Sequence, residues 1–252
     1  MSRRITGEKV ELDYTDIQEF FEGRGKNKKL GNKYNYVLYQ DDCPELAIQR
    51  DKQEKEKISG LLSFGRGQRI LDVGCGIGRW GEYLLKQGLF YVGVDASPSM
   101  IEMARDNLKG FLEKKLMVGT FQELKECLGR YEETERFDKI FVNGVFMYLN
   151  DADYSRALED IYSLCAPECE VYVKESMGIS ERLTLDKIYS ESLTQSYSAV
   201  YRSIEEYRES LMEVFGSDFL PEAEGRLYEQ KLENREETVD YYFILKRHGI
   251  TH

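Results

Sequence analysis

The sequence predicts an α/β fold around a largely parallel sheet, and two observations predict it. From residue 70 onwards, short apolar segments that read as buried strands alternate with segments of helical periodicity. The first apolar segment, residues 70–73, breaks into a glycine-rich turn at 74–78, and a helical pattern follows at once. Ligands of such folds bind beyond the carboxyl ends of the strands, so this turn marks the predicted binding site.

The turn places glycine at alternate positions, Gly74, Gly76 and Gly78. Because glycine has no Cβ, the backbone can bend sharply here and approach a ligand closely. The helix start behind the turn offers N–H groups without a helical partner. The spacing differs from the dinucleotide fingerprint G-x-G-x-x-G, whose third glycine would fall on Arg79, and Asp72 precedes the first glycine instead.

The other elements follow from periodicity and from start signals. Before the turn, residues 11–23 read as a helix with one apolar side, and residues 44–62 read as a charged helix that starts with proline. Residues 177–202 show no strong strand pattern. The remaining predicted elements are strands at 91–95, 116–120, 137–143, 170–176, 219–229 and 238–246, with a helix at 203–215 whose Ser203 and Glu206 have capping-box spacing.

The segment LDVGCGIG, residues 71–78, resembles the first motif of class I S-adenosyl-L-methionine-dependent methyltransferases. The resemblance implies a Rossmann-like seven-stranded mixed sheet, with the last strand antiparallel and helices on both faces. It implies S-adenosyl-L-methionine as the cofactor and in-line methyl transfer as the reaction. Residues 1–57 would form a helical and loop cap over the active site. Residues 58–252 would form the methyltransferase domain, with an acceptor-covering insertion at about 177–202.

The second predicted strand ends in Asp95, 23 residues after Asp72. An acid at this place can accept hydrogen bonds from ribose hydroxyls, and Ser97 with Pro98 predicts a helix start just behind it. Thr120 stands where the family usually has an aspartate. The cofactor site that the resemblance implies comprises Asp72, Gly74, Cys75, Gly76, Gly78, Asp95, Ala96, Ser97, Met100, Thr120, Phe121, Asn143 and Gly144.

The candidate catalytic residues lie at the ends of the fourth and fifth predicted strands. Residues 137–149 resemble the family's fourth motif, but Tyr148 stands where many relatives carry histidine. The two histidines of the chain, His248 and His252, lie beyond the last predicted strand, so we expect no histidine base. If the acceptor must lose a proton, Glu175 is the first candidate for the base, and Tyr148 is either a positioning hydroxyl or a base.

Composition narrows the class of protein. A hydrophobic content of 41% is ample for a core, and no run approaches the ~18 apolar residues that a membrane helix needs. The net charge of −11 disfavours a general role on nucleic acid. The N-terminus is charged and lacks an apolar signal segment, and none of the five cysteines forms a C-x-x-C pair. We therefore expect a cytoplasmic protein with reduced cysteines and no metal, acting as a monomer or homodimer.

One basic stretch stands out in this acidic chain. Residues 24–33 carry five positive charges and no acid, and they read as a loop. A solvated surface loop is one interpretation. Family precedent, however, places the N-terminal segment and the insertion on the acceptor side, where basic groups could bind the phosphate of a small anionic acceptor. The candidate acceptor-binding residues are Tyr36, Arg24, Tyr197, Tyr201 and Arg202, with Lys26, Lys28 and Lys29 as further basic groups.

Three classes of function remain open. The segments FFEGRGKN and DDCPELAIQRD resemble methyltransferases encoded with bacterial surface-polysaccharide genes, which implies a sugar, a nucleotide sugar or a phosphorylated glycan precursor as acceptor. The end of strand five, Lys174-Glu175-Ser176, resembles the Lys-Asp-Asn of α-N-terminal protein methyltransferases, which implies a peptide amine as acceptor. The third class is a non-catalytic cofactor-binding protein that acts as a partner of an active enzyme.

Overall fold

The structure is a computed structural model that describes residues 2–27, 30–190, 193 and 195–247. Within these residues the strands are β1 (Arg3–Thr6), β2 (Arg69–Val73), β3 (Phe90–Asp95), β4 (Lys114–Val118), β5 (Phe137–Asn143), β6 (Cys165–Gly178), β7 (Leu183–Ser190), β8 (Gln195–Tyr201), β9 (Phe219–Arg226) and β10 (Thr238–Arg247). The α-helices are α1 (Tyr14–Lys26), α2 (Asn35–Leu38), α3 (Pro44–Ser59), α4 (Arg79–Lys86), α5 (Pro98–Asn107), α6 (Leu124–Arg130), α7 (Asp151–Leu164) and α8 (Ile204–Phe215).

A seven-stranded mixed sheet forms the centre of the molecule, with the strand order β4-β3-β2-β5-β6-β10-β9. The strands β2 to β6 pair in parallel, whereas β10 is antiparallel to both of its neighbours. This confirms the predicted Rossmann-like sheet. Ile70 and Leu71 of β2 are fully buried on opposite faces, which is why the parallel strands read as continuous apolar runs.

Helices pack on both faces of this sheet, as predicted. Side chains of α3, α4 and α5 share one apolar cluster, in which Trp80 meets the ring of Phe141 edge-on with centroids 5.1 Å apart. Side chains of α6, α7 and α8 share the other cluster, around Phe137 and Phe215. None of the helices in the described ranges is long and apolar enough to cross a membrane.

A second, three-stranded sheet has the order β1-β7-β8 and is antiparallel throughout. The prediction that residues 177–202 lack strands was therefore wrong. Strand β7 carries the polar residues Thr184 and Asp186, which are buried. Arg3 of β1 binds the Asp186 carboxylate at 3.0 and 2.7 Å, across 183 residues of sequence. Because the pairing partner is so distant, no local pattern reports this strand.

Helix α1 lies three residues later than predicted. The Asp13 side chain accepts the N–H of Thr15 at 2.9 Å and caps the helix, which then continues to Lys26. The prediction of a loop at 24–33 was therefore wrong for residues 24–26, which belong to α1. We call α1 with the small sheet the roof (residues 3–6, 14–26, 183–190 and 195–201). Phe20 of α1 joins β8 and the turn after β5 in a third apolar cluster.

The roof combines two segments that are far apart in the sequence. Strand β1 and helix α1 come from the predicted N-terminal cap, whereas β7 and β8 come from the predicted insertion at 177–202. Helix α1 packs against α5 and β8, and β8 packs against the turn after β5. The carboxyl ends of the central strands therefore lie beneath a cover made from two distant segments. The division into 1–57 and 58–252 stays a prediction.

Candidate active site

The glycine turn between β2 and α4 is joined to the end of β3. The Gly74 N–H donates to the carbonyl of Val94 at 2.8 Å. The two Asp95 carboxylate oxygens accept the N–H of Gly76 at 2.8 Å and the N–H of Ser97 at 2.9 Å. Burial raises the pKa of Asp95. The acid is thus oriented by two backbone donors before any ligand is present.

None of the three glycines of the turn has room for a side chain, and Gly76 and Gly78 illustrate this. Gly76 has φ +52°, and a Cβ there would lie 2.6 Å from Val37 Cγ1. Gly78 has φ +73° and precedes the first residue of α4, and a Cβ there would lie 2.8 Å from Leu108 Cδ1. Both glycines hold the left-handed conformation that side chains disfavour. The turn therefore forms a cradle that only glycine permits.

Asp72 lies buried at the end of β2 and accepts a hydrogen bond from the Tyr91 hydroxyl at 2.6 Å. Burial raises the pKa of Asp72 to about 7, against the lowering effect of the Tyr91 hydrogen bond. Both its protonated and its ionised form are therefore present near neutral pH. This acid lines the same cleft as the turn.

The turn and the strand ends line a cavity of about 420 Å³, within the range of small-molecule sites. The predicted cofactor residues in its lining are Asp72, Gly74, Cys75, Gly76, Asp95, Ala96, Ser97, Met100, Thr120, Phe121, Asn143 and Gly144. Gly78 lies outside the lining, at the start of α4. Both polar atoms of the Asn143 amide are buried without a hydrogen-bond partner in the described part of the chain. A ligand in the cavity would satisfy them.

Helix α1 is fastened across the cleft to the start of α5. The Glu22 carboxylate accepts hydrogen bonds from the Ser97 hydroxyl at 2.7 Å and from the hydroxyl and N–H of Ser99. Burial opposes ionisation, but the hydrogen bonds from Ser99, Ser97 and Lys26 lower the pKa of Glu22 to about 2. The carboxylate is therefore charged at neutral pH, and it holds the roof over the cofactor side of the cavity.

Tyrosine hydroxyls meet at the other end of the cavity. The hydroxyls of Tyr148 and Tyr197 lie 3.0 Å apart, and Tyr201 donates to Tyr197 at 3.2 Å. Tyr148 and Tyr197 line the cavity, and Tyr201 lies behind them. Burial raises the pKa of all three phenols. They remain protonated at neutral pH, which favours a positioning hydroxyl over a base for Tyr148.

Glu175 does not face the cavity. Its neighbours on β6, Lys174 and Ser176, line the cavity, so the alternation of a strand turns Glu175 to the opposite side. There its carboxylate accepts the N–H groups of Val145 at 2.9 Å and Phe146 at 3.0 Å, and of Met147 at 3.3 Å. Burial raises its pKa to about 7. The position of Glu175 thus fits anchoring the turn after β5 and gives no support to a role as base.

Four of the five predicted acceptor-binding residues lie outside the cavity lining: Arg24, Tyr36, Tyr201 and Arg202. The buried Arg24 guanidinium binds the Asp41 carboxylate at 3.0 and 2.9 Å. The Tyr36 hydroxyl donates to the carbonyl of Asn27 at 2.8 Å. Arg24 was expected to bind the acceptor from a loop, but it lies in the last turn of α1, where Asp41 already neutralises its charge.

Arg202 is also committed within the protein. Its guanidinium donates to the Phe146 carbonyl at 2.9 Å and to the Asp151 carboxylate at 2.6 Å. It therefore joins α7 to the turn after β5, and it does not line the cavity. Four further residues named from the sequence lie outside the described part of the chain: Lys28, Lys29, His248 and His252.

The cavity is also lined by charged residues that were absent from the predicted site, namely Arg50, Arg79, Glu123, Lys174, Arg235 and Asp240. The polar residue Ser176 lines it as well. Arg235 belongs to the segment 203–240, in which 12 acids outnumber 4 bases, and such a segment reads as solvated surface. Only the position of Arg235 just before β10, at the carboxyl edge of the sheet, could have indicated this role.

Comparisons with known proteins agree with this geometry. Residues 70–168 match the model of a family described as a methyltransferase domain. Phosphoethanolamine N-methyltransferase 1 of Triticum aestivum is 26% identical over 165 residues, which cover 62% of this chain and 31% of that protein. In the solved structures, phosphoethanolamine N-methyltransferase 1 of Haemonchus contortus, in complex with phosphoethanolamine and S-adenosylhomocysteine, has a TM-score of 0.71 at 15% identity.

The structural alignment with the Haemonchus contortus enzyme covers 94% of this chain and 49% of the Haemonchus chain. Magnesium protoporphyrin IX methyltransferase from Synechocystis PCC 6803, with bound S-adenosylmethionine, has a TM-score of 0.64 at 14% identity, covering 96% of this chain and all of that one. The chain spans less than half the length of the Triticum and Haemonchus proteins. At these low identities, the structural likeness shows the fold. The matched region contains the glycine cradle, Asp72 and Asp95 at one cleft. The chain therefore contains a methyltransferase domain at residues 70–168, and its fold is that of the class I S-adenosyl-L-methionine-dependent methyltransferases.

Proposed function

We propose that the protein transfers a methyl group from S-adenosyl-L-methionine to a small anionic acceptor, such as a sugar, a nucleotide sugar or a phosphorylated surface-glycan precursor. The bound cofactor supplies an electrophilic methyl group on its sulfonium. The contribution of the chain is to hold both reactants in place and to exclude water. Positioning of this kind can lower a barrier by ~7–11 kcal/mol.

The residues at the cleft fit the cofactor. Asp95 would hold the ribose hydroxyls, because its carboxylate lies at the end of β3 with two backbone donors orienting it. The buried amide of Asn143 would meet the methionine end. Glu22 would keep α1 closed above the cofactor, where the roof excludes water.

We call Arg50, Lys174, Arg235 and Asp240 the far wall of the cavity. The charge of this wall supports the choice of acceptor, because three of its four side chains are cationic. The tyrosine end of the roof encloses the same space, and a cavity of about 420 Å³ suits a small molecule better than a polymer. A small acceptor with negative charge matches both properties.

Two alternatives are separated by the same experiment. The peptide-amine class depended on the resemblance around Glu175, whose carboxylate faces away from the cavity and is held by three backbone N–H groups. The non-catalytic class predicts cofactor binding without turnover, because the glycine cradle and Asp95 serve binding alone.

The test is methyl transfer from labelled S-adenosyl-L-methionine to a panel of phosphorylated sugars, nucleotide sugars, neutral sugars and peptides with free N-termini. We expect transfer to phosphorylated compounds and none to peptides, and Asp95→Ala serves as the control with impaired cofactor binding. Transfer to peptides alone would contradict the proposal. Calorimetry with S-adenosylhomocysteine identifies the non-catalytic case, in which binding occurs without transfer to any acceptor.

A further inference from the structure

The far wall of the cavity carries more positive than negative charge. Lys174 Nζ lies 2.8 Å from Asp240 Oδ1, and Arg50 Nη1 lies 3.9 Å from Asp240 Oδ2. Burial opposes the charge of Asp240, but Lys174, Arg235 and Arg50 hold its pKa far below the usual range. Among the described residues, Asp240 is the only carboxylate within 4.0 Å of any of these three cations. One carboxylate therefore faces three positive charges.

Two of the three cations already have polar partners within the protein. Lys174 forms its ion pair with Asp240. Arg50 donates through Nε to the carbonyl of Leu232 at 2.9 Å, and through Nη2 to the Asn234 side chain at 2.9 Å. Both cations are therefore held in place by polar partners within the chain.

Arg235 differs from them. In the described part of the chain its guanidinium makes one hydrogen bond, from Nη1 to the Ser176 hydroxyl at 2.7 Å, and no carboxylate lies within ion-pair distance. A guanidinium has five N–H donors in a planar fork. Arg235 is thus a half-buried charged group with unused donors that lines a cavity, where an anionic ligand would pair with it.

Arg235, Tyr148 and Tyr197 line the same cavity. Burial opposes the charge of Arg235, but Asp240, Tyr201, Tyr197 and Tyr148 are close enough to raise its pKa. Tyr148 and Tyr197 share one hydrogen bond, so one of these two protonated hydroxyls keeps an O–H that can be donated to an acceptor atom in the cavity. An anion between Arg235 and this hydroxyl pair would receive hydrogen bonds from both.

We propose that Arg235, with the hydroxyls of Tyr148 and Tyr197, forms an anion subsite that binds a phosphate monoester group of the acceptor. This inference rests on the proposed function, since the subsite lies at the acceptor end of the same cavity. The wall presents three cations with Asp240 as their close carboxylate, and S-adenosyl-L-methionine adds a further net positive charge. A phosphate dianion matches this positive charge better than a carboxylate does, and its oxygens suit the guanidinium fork.

The test uses inorganic phosphate as the probe, titrated by calorimetry into protein saturated with S-adenosylhomocysteine at about pH 8, where phosphate is a dianion. Acetate is titrated in parallel as a carboxylate. The variants are Arg235→Gln and Arg235→Lys. The matched control is Arg226→Gln, in the same β9–β10 region, whose side chain is 57% exposed and pairs with Glu233.

We expect Arg235→Gln to weaken phosphate binding by about tenfold or more, Arg235→Lys to weaken it less, and Arg226→Gln to leave it unchanged. The affinity for S-adenosylhomocysteine should stay within about twofold in all three, which also shows that each variant is folded. Equal phosphate affinity in Arg235→Gln and wild type would overturn the proposal, as would acetate binding as tightly as phosphate. A parallel loss of S-adenosylhomocysteine affinity would assign Arg235 to the cofactor instead.

The experiment distinguishes failure of the anion subsite from failure of the proposed function. If the wild type does not bind S-adenosylhomocysteine, the cofactor assignment itself is wrong. If it binds S-adenosylhomocysteine but not phosphate, only the anion subsite is wrong.

Discussion

The Glu22 carboxylate accepts a hydrogen bond from the Ser97 hydroxyl at 2.7 Å, and this contact joins α1 of the roof to the first residues of α5. Ser97 also caps α5, since its hydroxyl accepts the N–H of Met100 at 3.3 Å. The same serine therefore starts a helix and fastens the cover of the cofactor cleft. The role of α1 as a cover can therefore be tested through this contact.

The first prediction concerns this contact. Glu22→Gln removes the charge that strengthens the hydrogen bonds from Ser97 and Ser99, each worth about 1.5–3 kcal/mol when charged. We expect S-adenosylhomocysteine to dissociate about five to ten times faster from the variant, because the roof opens more often. Stopped-flow release measures the rate. The control is Glu19→Gln, an exposed acid on the same helix, and an equal release rate in Glu22→Gln and Glu19→Gln would contradict the role of α1 as a cover.

The second prediction concerns Asp95. Asp95→Ala removes the acceptor of the Gly76 and Ser97 N–H groups together with the group expected to bind ribose. Each lost hydrogen bond typically weakens binding by about 0.5–1.5 kcal/mol, and more when one partner is charged. Calorimetry should therefore show S-adenosylhomocysteine bound at least several-fold more weakly. Asp106→Ala, which removes an exposed acid of α5, is the control, and unchanged affinity in Asp95→Ala would remove Asp95 from the site.

The third prediction concerns Gly76. Gly76→Ala places a Cβ 2.6 Å from Val37 Cγ1 at a φ of +52°, and the left-handed conformation alone costs about 1–2 kcal/mol. We expect both lower stability and weaker cofactor binding. Adding Val37→Ala should restore part of the loss, because it removes the collision but not the backbone strain. Gly129→Ala is the control, since its Cβ meets nothing within 4 Å in α6, and a Gly76→Ala protein as stable as this control would contradict the tight turn.

The fourth prediction concerns the pH dependence of stability. The pKa of Glu175 is raised to about 7 in the folded protein from an ordinary value of 4.5. The folded state therefore binds a proton that the unfolded state has lost between these pH values. The resulting stabilisation is complete below the unfolded pKa and disappears as the pH rises through the folded pKa. At 1.36 kcal/mol per pKa unit, the loss amounts to about 3 kcal/mol.

Glu175→Gln cannot titrate, so the stability of the wild type relative to this variant should fall by about 3 kcal/mol over this pH range. Urea unfolding of both proteins at several pH values measures the difference, and Asp72 titrates equally in both. A difference that grows with pH would show instead that the three backbone donors stabilise the carboxylate more than burial destabilises it.

The fifth prediction concerns Arg24. Breaking its buried pair with Asp41 leaves an unpaired carboxylate, which typically destabilises a protein by about 3–5 kcal/mol. Arg24→Gln should therefore lower the free energy of unfolding by this order, without changing the acceptor KM of the folded protein. Lys26→Gln, at a 70% exposed position of the same helix, should have a small effect. A raised KM with unchanged stability in Arg24→Gln would return Arg24 to the acceptor site.

Local signals made the core of the fold predictable from the sequence. The strand, glycine turn and helix around Asp72 are encoded within a dozen residues, and Ser97 caps α5 as predicted. The capping box of Ser203 and Glu206 is also confirmed. These features depend on backbone geometry and on nearest neighbours, which a short window of sequence contains.

The missed features depend on distant partners. Asp186 is buried in β7 because Arg3 binds it, and no window around residue 186 contains that information. Arg24 and Arg235 are both arginines in charged segments, yet one is neutralised by Asp41 and the other lines the cavity. Whether a charge is paired is a property of the tertiary structure, so the sequence could not separate the two.

The pairing of β1 with β7 also determines the order in which the molecule can be completed. Contacts that join residues 183 positions apart cannot form until most of the chain has left the ribosome. At about 5–20 residues per second, the N-terminal strand waits on the order of ten seconds or more for its partner. During synthesis, the segments of the glycine cradle, Asp95 and α1 therefore leave the ribosome before β7 and β8, so the cleft lacks the sheet of its roof until residues 183–201 have been made.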